Sequence, residues 1–453
     1  MLVRNRVLAE RRPYALGLAA PLILCVARSI AQPAPPASFN YPPPPTETAP
    51  DYFTIAENGK ARCVIIHPDG SRPLASTAST LAAWLKAVTG ASFQVLSDKT
   101  PAPQDMAAIH LGDTGLAAKI DLNLPNVRYG RVSLPNLNGF LILTPAPKTL
   151  LIRGLSERAV NHGAASLLMR YAGVRSYWPC QPGGLGAVVP HRPTLRLPKV
   201  EWRDWPLFYS RAFSTRPFPP GAHPAIDFYR RNGALPCGEN YDDWLPPAKY
   251  AKTHPEYYSL VSGKRRVPAE DSGAKGWQPC ASNPEVQRAM AQAVSDYFRK
   301  NPLAPGVNFS INDGGSDCDC PACRAMDAPG ADYSSKTGMS DRYVKLTNIV
   351  CDTVTREFPD KVIVYLAYAA AQSAPKTVKP HFALLPVLTS PGNFFAAWDE
   401  WRNTGAEVMG IYAHHDDCFF ILPKLDLRQM AKRIRYAAAS GRSAVFYMEL
   451  HAQ

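Results

Sequence analysis

Two rhythms of hydrophobic and polar residues divide the chain. From residue 51 to about residue 200, short apolar runs such as 63–67 (CVIIH) and 149–154 (TLLIRG) alternate with segments whose apolar residues recur every three or four positions. Runs of the first kind are typical of buried strands, and the segments are typical of amphipathic helices. One such segment ends at Gly90 and places four apolar residues on one face: Leu81, Trp84, Leu85 and Val88. The pattern predicts a small α/β domain over 51–200.

From residue 207 onward the chain alternates regularly between strand and helix patterns. Eight apolar runs are candidate strands: 207–213, 234–240, 277–282, 306–313, 361–368, 382–389, 408–415 and 444–451. The helical segment 283–300 begins with Asn283, a good N-cap, followed by Pro284 at the first helical position. Eight strands alternating with helices predict a (β/α)8 TIM-type barrel over 201–453. The chain stops at Gln453, directly after the eighth candidate strand, so we expect a C-terminally truncated barrel without its last helix.

The first fifty residues have the composition of an export signal and a spacer. A basic segment at 1–12 precedes an apolar run at 14–27 that is too short to span a bilayer, and 29–31 (SIA) is a small-x-small cleavage pattern. Residues 32–50 are rich in proline, which favours an extended linker. We therefore expect a signal peptide at 1–31 and a Pro-rich linker at 32–50. The mature protein would be periplasmic or secreted, without a membrane span.

Composition and charge exclude some classes of protein. Hydrophobic residues make up 46% of the chain and charged residues 19%, which is enough for a buried core and excludes wholesale disorder. The formal charge is +13, but part of it comes from the first thirty residues, and elsewhere Lys and Arg are scattered among acids. Because no basic stripe with interleaved aromatics is present, we expect no nucleic-acid partner. The oligomeric state is not indicated.

Polar residues collect where the candidate barrel strands end, which is the edge that carries the active site in barrels of this kind. They are Arg211, Glu239, Asn240, Asn312, Asp313, Tyr368, His414, His415, Asp416 and Glu449. Glycoside hydrolysis needs two carboxylates that face one pocket, and Asp313 and Glu449 are the candidate pair. The other residues of this set are candidates for substrate binding, because acids, histidines and aromatics suit a polyhydroxylated ligand.

Each of these residues also has a purely structural interpretation. Asp313 precedes two glycines and would serve equally as a turn former. Glu449 lies in an apolar strand, where a buried charge is costly unless it is paired or used, and we favour a functional role. His414 and His415 are adjacent on a strand, so one of them must face away from the barrel interior. Asp416 would equally cap the loop that follows.

Three cysteines at C-x-C-x-x-C spacing follow Asp313: Cys318, Cys320 and Cys323. A structural zinc site takes four ligands, and the fourth would be Cys280, Cys418 or a histidine. In an exported protein disulfides are the usual fate of thiols. We therefore favour a disulfide-stapled loop over zinc and expect no cofactor. A catalytic thiol is the third interpretation, and no paired base supports it.

Several motifs resemble a known family. The segments 253–266 (THPEYYSLVSGKRR), 309–327 (FSINDGGSDCDCPACRAMD) and 446–453 (FYMELHAQ) resemble the exported bacterial proteins of the domain-of-unknown-function family DUF4838. The first domain is similar to the N-terminal domain that precedes the barrels of α-glucuronidases and β-hexosaminidases. The resemblance covers about residues 55 to 453. It implies an N-terminal α/β domain followed by a TIM barrel.

The resemblance also implies a function. It indicates an exported glycoside hydrolase-like protein acting on polysaccharide or oligosaccharide, including uronate-containing ones, with a non-catalytic carbohydrate-binding barrel as the alternative. Asp313 falls near the fourth-strand acid of related glycosidases, although Gly314 follows it where those enzymes have Glu. This departure argues against a β-hexosaminidase mechanism. Glu449 falls at an eighth-strand acid typical of the family.

Overall fold

The structure is a computed structural model. It describes residues 52–177, 182, 184, 186–216, 226–228, 230–332, 338–389, 392–414 and 426–451. The predicted signal peptide and linker lie outside the described residues, as do three residues of the sequence analysis: His415, Asp416 and Cys418. Within the described part, no helix is long and apolar enough to cross a membrane.

The first part of the chain folds around a six-stranded mixed sheet. The strands of this part of the chain, in chain order, are β1 (Phe53–Glu57), β2 (Lys60–Ala61), β3 (Cys63–His67), β4 (Val95–Ser97), β5 (Ala107–Leu111), β6 (Val127–Tyr129), β7 (Val132–Leu134), β8 (Phe140–Ala146), β9 (Thr149–Gly154), β10 (Arg175–Ser176), β11 (Ala187–Val188), β12 (Leu195–Leu197) and β13 (Glu201–Asp204). Six of these strands form the mixed sheet, in the order β13-β8-β9-β5-β3-β4. The strands β3 and β9 coincide with the predicted runs. Because β13 pairs with β8, this sheet includes four residues beyond the predicted boundary at 200.

Two helices, α1 (Arg72–Thr89) and α2 (Glu157–Leu167), pack on this sheet. The helix α1 ends at Gly90, whose φ of 77° is the left-handed conformation that glycine adopts at no steric cost. Its four predicted core residues are all completely buried: Leu81, Trp84, Leu85 and Val88. The amphipathic pattern therefore correctly predicted both the end of this helix and its buried face.

The second part of the chain contains a curled parallel sheet with helices on its outer side. The strands of this part of the chain are β14 (Ser210–Arg216), β15 (Leu260–Val261), β16 (Lys264–Arg265), β17 (Gly306–Asn308), β18 (Val362–Ala367), β19 (Leu384–Thr389), β20 (Met409–His414) and β21 (Ser443–His451). Its helices are α3 (Tyr241–Trp244), α4 (Pro247–Tyr250), α5 (Pro284–Lys300), α6 (Pro321–Arg324), α7 (Ser340–Glu357), α8 (Phe394–Asn403) and α9 (Leu427–Ala439). As predicted, α5 begins at Asn283, whose side chain accepts hydrogen bonds from two backbone N–H groups.

Six strands form this sheet in the order β14-β21-β20-β19-β18-β17, and all neighbours are parallel. Numbered as candidate barrel strands, this is the order 1-8-7-6-5-4, which is the neighbour order of a (β/α)8 barrel. The sheet is thus the curled half of a TIM-type barrel, and the predicted fold class is confirmed. The second and third candidate strands, 234–240 and 277–282, are not regular strands in the structure, and this part of the prediction is wrong.

Side-chain hydrogen bonds replace the backbone ladder at the second strand position. The hydroxyl of Ser210 in β14 accepts from the N–H of Leu235 at 3.1 Å. On the other side, the side-chain amide of Asn308 donates to the carbonyl of Gly238 at 2.5 Å. The segment 234–240 therefore lies between β14 and β17, where the second strand of a barrel would lie. Pro236 lacks the N–H that a central strand donates, and Gly238 weakens a strand, which explains the missing ladder.

The third strand position is filled in the same way. The side chain of Gln278 donates to the carbonyl of Asn312 at 2.7 Å and accepts from its N–H at 3.2 Å. One amide side chain thus satisfies both backbone groups that a neighbouring strand would otherwise pair. Pro279 interrupts the segment directly afterwards.

Alternation along the central strands separates an outer and an inner face. In β18, Ile363 and Tyr365 pack with the helix-covered core, whereas Val362, Val364 and Leu366 pack with residues inside the barrel. Three tyrosines pack on the same inner cluster: Tyr368, Tyr412 and Tyr447. The inner face therefore becomes aromatic and polar toward the carboxyl ends of the strands, where a barrel binds its ligand.

Candidate functional site

Asp313 is fixed at the carboxyl end of the sheet by its own backbone. Its N–H donates to the carbonyl of Ala274 at 2.9 Å, and its carbonyl accepts from the N–H of Gly276 at 2.7 Å. The two residues that follow, Gly314 and Gly315, have φ of 90° and 78°, so these two glycines form the turn. The carboxylate of Asp313 is thus left for another partner.

That partner is Tyr368, which follows β18. Its hydroxyl donates to Oδ1 of Asp313 at 3.3 Å. Burial, and then the negative charges of Asp313 and Glu239, raise the pKa of Tyr368. The phenol therefore keeps its proton and acts as a donor at neutral pH. Since the charge of Glu239 also acts on this phenol, Glu239 lies on the same side of the barrel as Asp313 and Tyr368.

The backbone next to Tyr368 is in an unusual conformation. Ala369 has a φ of 47°, in the left-handed region that residues with a Cβ rarely adopt. Such a conformation costs about 1–3 kcal/mol and is concentrated at functional sites. It occurs here at the point where the chain leaves the inner face of the barrel, directly after the tyrosine that holds Asp313.

An aromatic surface lies across the inner face from this pair. The half-buried rings of Tyr412 in β20 and Tyr447 in β21 stack with centroids 4.4 Å apart and an interplanar angle of 26°. Opposite Tyr412 in the sheet lies Thr389, a buried residue whose hydroxyl has no hydrogen-bond partner among the described residues. Sequence reasoning missed all three residues. Strict alternation along β20 and β21 would have placed both tyrosines on one face.

Glu449 and His414 are placed by their backbone positions. Glu449 pairs with His414 on one side and with Ser214 on the other, near the carboxyl ends of β21, β20 and β14. It lies two residues beyond Tyr447 on the same strand. The structure does not describe the side chains of Glu449 and His414, so their roles in catalysis and binding stay predictions. His415 and Asp416 lie outside the described residues.

Two predicted substrate-binding residues hydrogen-bond to backbone groups of the barrel. The side-chain oxygen of Asn312 accepts from the N–H of Tyr241 at 2.9 Å, and its amide donates to the carbonyl of Trp277 at 3.1 Å. The amide of Asn240 donates to the carbonyl of Asn308 at 2.8 Å. These contacts give both side chains a structural role, and their contact with substrate stays a prediction.

Arg211 lies away from the edge that carries Asp313. The strand β14 continues to Arg216, so Arg211 lies at its amino end. Its guanidinium donates to the carbonyl of Phe208 at 2.6 Å and to that of Arg230 at 3.0 Å. Burial, and then the positive charge of Arg230, lower the pKa of Arg211 to about 9. Arg211 is thus a half-buried cation held by backbone carbonyls, and its contact with substrate stays a prediction.

The cysteine motif forms a compact cluster beside the site. The Sγ atoms of Cys280, Cys318, Cys320 and Cys323 all lie within 4.8 Å of one another, and three of the four residues are buried. All four are free thiols in the structure. The fourth member is Cys280, one of the three candidates that the sequence left open.

The structure is similar in outline to solved glycoside hydrolases. Against a family 115 4-O-methyl-α-glucuronidase with specificity for decorated arabinogalactans, the TM-score is 0.48 at 12% identity, over 88% of this chain and 55% of that one. Against the β-N-acetylhexosaminidase of Streptomyces coelicolor, it is 0.42 at 12% identity, over 88% and 84%. Against a family 89 glycoside hydrolase of Clostridium perfringens, it is 0.41 at 13% identity, over 69% and 42%.

These values limit what the similarities imply. The chain spans little more than half the length of the α-glucuronidase. All three TM-scores lie below 0.5, so no activity follows from them. No protein of curated function matches the sequence. The sequence model of DUF4838, a domain of unknown function, matches residues 182–444, which is more than half of the chain, and the chain therefore belongs to this family, as its motifs predict.

Proposed function

We propose that the chain binds oligosaccharides at the carboxyl edge of its parallel sheet and hydrolyses a glycosidic bond there, with Asp313 as an acid/base residue. The observation that carries the proposal is the hydrogen bond from the Tyr368 hydroxyl to Asp313 inside the mouth of the half-barrel. A carboxylate that is held by a half-buried phenol, and not by an Arg or Lys, is oriented without being neutralised.

Two carboxylates are needed for this chemistry. One protonates the leaving oxygen, and the other attacks the anomeric carbon or activates water, with carboxyl groups about 5 to 10 Å apart. We assign the second role to Glu449, because strand alternation predicts that it shares the inner face with Val445 and Tyr447. Glu239, an exposed residue that acts on Tyr368, is assigned to substrate binding.

The remaining features of the mouth suit a sugar ring. The stacked pair of Tyr412 and Tyr447 offers apolar faces for the C–H groups of a pyranose. The hydroxyl of Thr389 is buried without a partner among the described residues, which is costly unless a ligand supplies one. Lys275, an exposed residue whose backbone forms an isolated β-bridge with that of Asp313, adds a cation at the rim. That charge favours acidic sugars, so uronate-containing oligosaccharides are the preferred substrate class.

The test is a panel of aryl glycosides, neutral oligosaccharides and uronate-containing oligosaccharides, measured for both turnover and binding. We expect turnover of at least one uronate-containing substrate, and we expect Asp313→Asn to reduce kcat by about 100-fold or more without abolishing binding. Asp352→Asn, at an exposed carboxylate on the outer helix α7, is the matched control. Binding without turnover, unchanged in Asp313→Asn, would instead identify a non-catalytic carbohydrate-binding barrel.

A further inference from the structure

The four cysteines of the cluster have the spacing of tetrahedral metal ligands. The Sγ of Cys280 lies 3.8 Å from that of Cys318, 3.8 Å from that of Cys323 and 3.9 Å from that of Cys320. Four sulfurs at the usual Zn–S distance of about 2.3 Å form a tetrahedron with edges of roughly 3.8 Å. A disulfide instead requires one S–S distance of about 2.0 Å. The cluster shows three nearly equal distances around Cys280.

The local backbone is that of a metal-binding knuckle. Residues 320–323 (CPAC) enter the short helix α6, and the N–H of Cys323 points at the Sγ of Cys320, 3.4 Å away. Two further N–H groups point at cluster sulfurs, that of Leu260 at Cys318 at 3.2 Å and that of Ser282 at Cys323 at 3.4 Å. Backbone donors that point at sulfur stabilise thiolates, which are the form that binds metal.

The cluster joins two parts of the chain that frame the candidate site. Cys318 comes five positions after Asp313, whereas Cys280 belongs to the segment that fills the third strand position. The loop that follows Asp313 is also held by β15, where the N–H of Asp319 donates to the carbonyl of Leu260 at 2.7 Å. A metal held by all four sulfurs would therefore cross-link the loop that carries Asp313 to the rest of the barrel.

We propose that Cys280, Cys318, Cys320 and Cys323 bind one zinc ion as a closed structural site. Four protein ligands leave no open position for water or substrate, so the ion holds the Asp313 loop and takes no part in bond cleavage. Cysteine sulfur selects zinc over magnesium or calcium, which prefer oxygen ligands. This site is independent of the proposed glycosidase activity, since it rests on the four sulfurs alone.

The test begins with the full wild-type chain, produced in cells and purified without chelator. We expect about one zinc per chain by inductively coupled plasma mass spectrometry, and cluster thiols that become titratable only after a chelator and denaturant are added. Replacement of zinc by Co²⁺ should give the sulfur-to-cobalt charge-transfer absorption of a tetrathiolate site. Absence of zinc, with the four cysteines found in disulfides or as metal-free thiols, would overturn the proposal.

Variants locate the ion. Cys280→Ala should lose the zinc, whereas Cys351→Ala, at a buried free cysteine in α7 outside the cluster, should keep it. If Cys280→Ala does not fold, the metal content and cobalt spectrum of the wild-type chain still decide the question. Retention of a full equivalent of zinc in folded Cys280→Ala would overturn the assigned ligand set. Zinc content is measured without any substrate, so a failure of the glycosidase proposal leaves this result unaffected.

Discussion

The hydroxyl of Tyr368 donates to Oδ1 of Asp313 at 3.3 Å, and this contact joins the fourth and fifth strand positions of the barrel at its mouth. Asp313 has no Arg, Lys or His within salt-bridge distance among the described residues. Its carboxylate is therefore oriented by a neutral donor.

Removing the donor should impair positioning more than binding. In Tyr368→Phe the ring stays and the hydrogen bond to Asp313 is lost, so we expect kcat to fall by about tenfold to 100-fold with little change in KM. Tyr177→Phe, at a tyrosine that is 72% exposed in the first part of the chain, is the control. An unchanged kcat would show that Tyr368 does not position Asp313.

The two remaining carboxylates should separate by their kinetics. Glu449→Gln is expected to lower kcat by about 100-fold or more because it removes the second catalytic carboxylate. Glu239→Gln should mainly raise KM, since Glu239 is assigned to binding. Rates measured over a range of substrate concentrations distinguish the two effects. A large loss of kcat in Glu239→Gln with normal kcat in Glu449→Gln would transfer the catalytic role to Glu239.

The barrel could be predicted from sequence where the strands are regular, and not elsewhere. The apolar runs of β18 and β19 are buried on both faces, and most described residues of β20 and β21 are buried, so all four runs carry a clear signal. The segments at the second and third strand positions are held by Asn308 and Gln278 side chains, and no periodic pattern predicts such contacts. Their apolar residues and position between helices suggested strands, while Pro236 and Pro279 were the evidence against them.

The same distinction applies to the candidate site. Asp313, Glu239 and Tyr368 could be proposed from sequence because they follow apolar runs whose ends converge. Asn312 and Asn240 follow the same rule, but they also make backbone hydrogen bonds that only the folded chain reveals. The fourth cysteine lies 38 residues before Cys318 in sequence, so spacing alone did not select it from its alternatives.

A buried ion pair should stabilise the junction between the cysteine loop and α7. Nε of Arg342 donates to Asp327 at 2.9 Å, and the two side chains are 0% and 1% exposed. Asp327→Ala leaves a buried cation uncompensated, so we expect the free energy of unfolding to fall by about 3–5 kcal/mol in denaturant titrations. The exposed pair Arg299–Glu357 is the matched control, and Glu357→Ala should cost less than about 1 kcal/mol. Equal losses in the two variants would contradict this role for Asp327.

Stability should fall in mild acid because of His162, a completely buried residue in α2. Its Nε2 donates to the carbonyl of Arg231 at 3.3 Å, and its Nδ1 has no partner among the described residues. Burial, and then the positive charges of Arg211 and Arg230, with a smaller contribution from Arg158, lower the pKa of His162 to about 3. The folded chain thus holds the imidazole neutral through the pH range in which an unfolded chain protonates it.

The sign of the pH dependence follows from this difference. Below about pH 6.5 the unfolded chain binds a proton that the folded chain does not, so acid favours unfolding by up to about 1.4 kcal/mol per pH unit until the folded pKa is approached. Between pH 6.5 and pH 5 the contribution of His162 should amount to about 1.6 kcal/mol. Denaturant titrations of the wild type and His162→Gln across this range measure it, because the variant should lose that part of the slope. The control is His191→Gln, at an exposed histidine, which should keep the pH dependence of the wild type. If the free energy of unfolding of the wild type and of His162→Gln fell equally with pH, His162 would protonate equally in the folded and unfolded states.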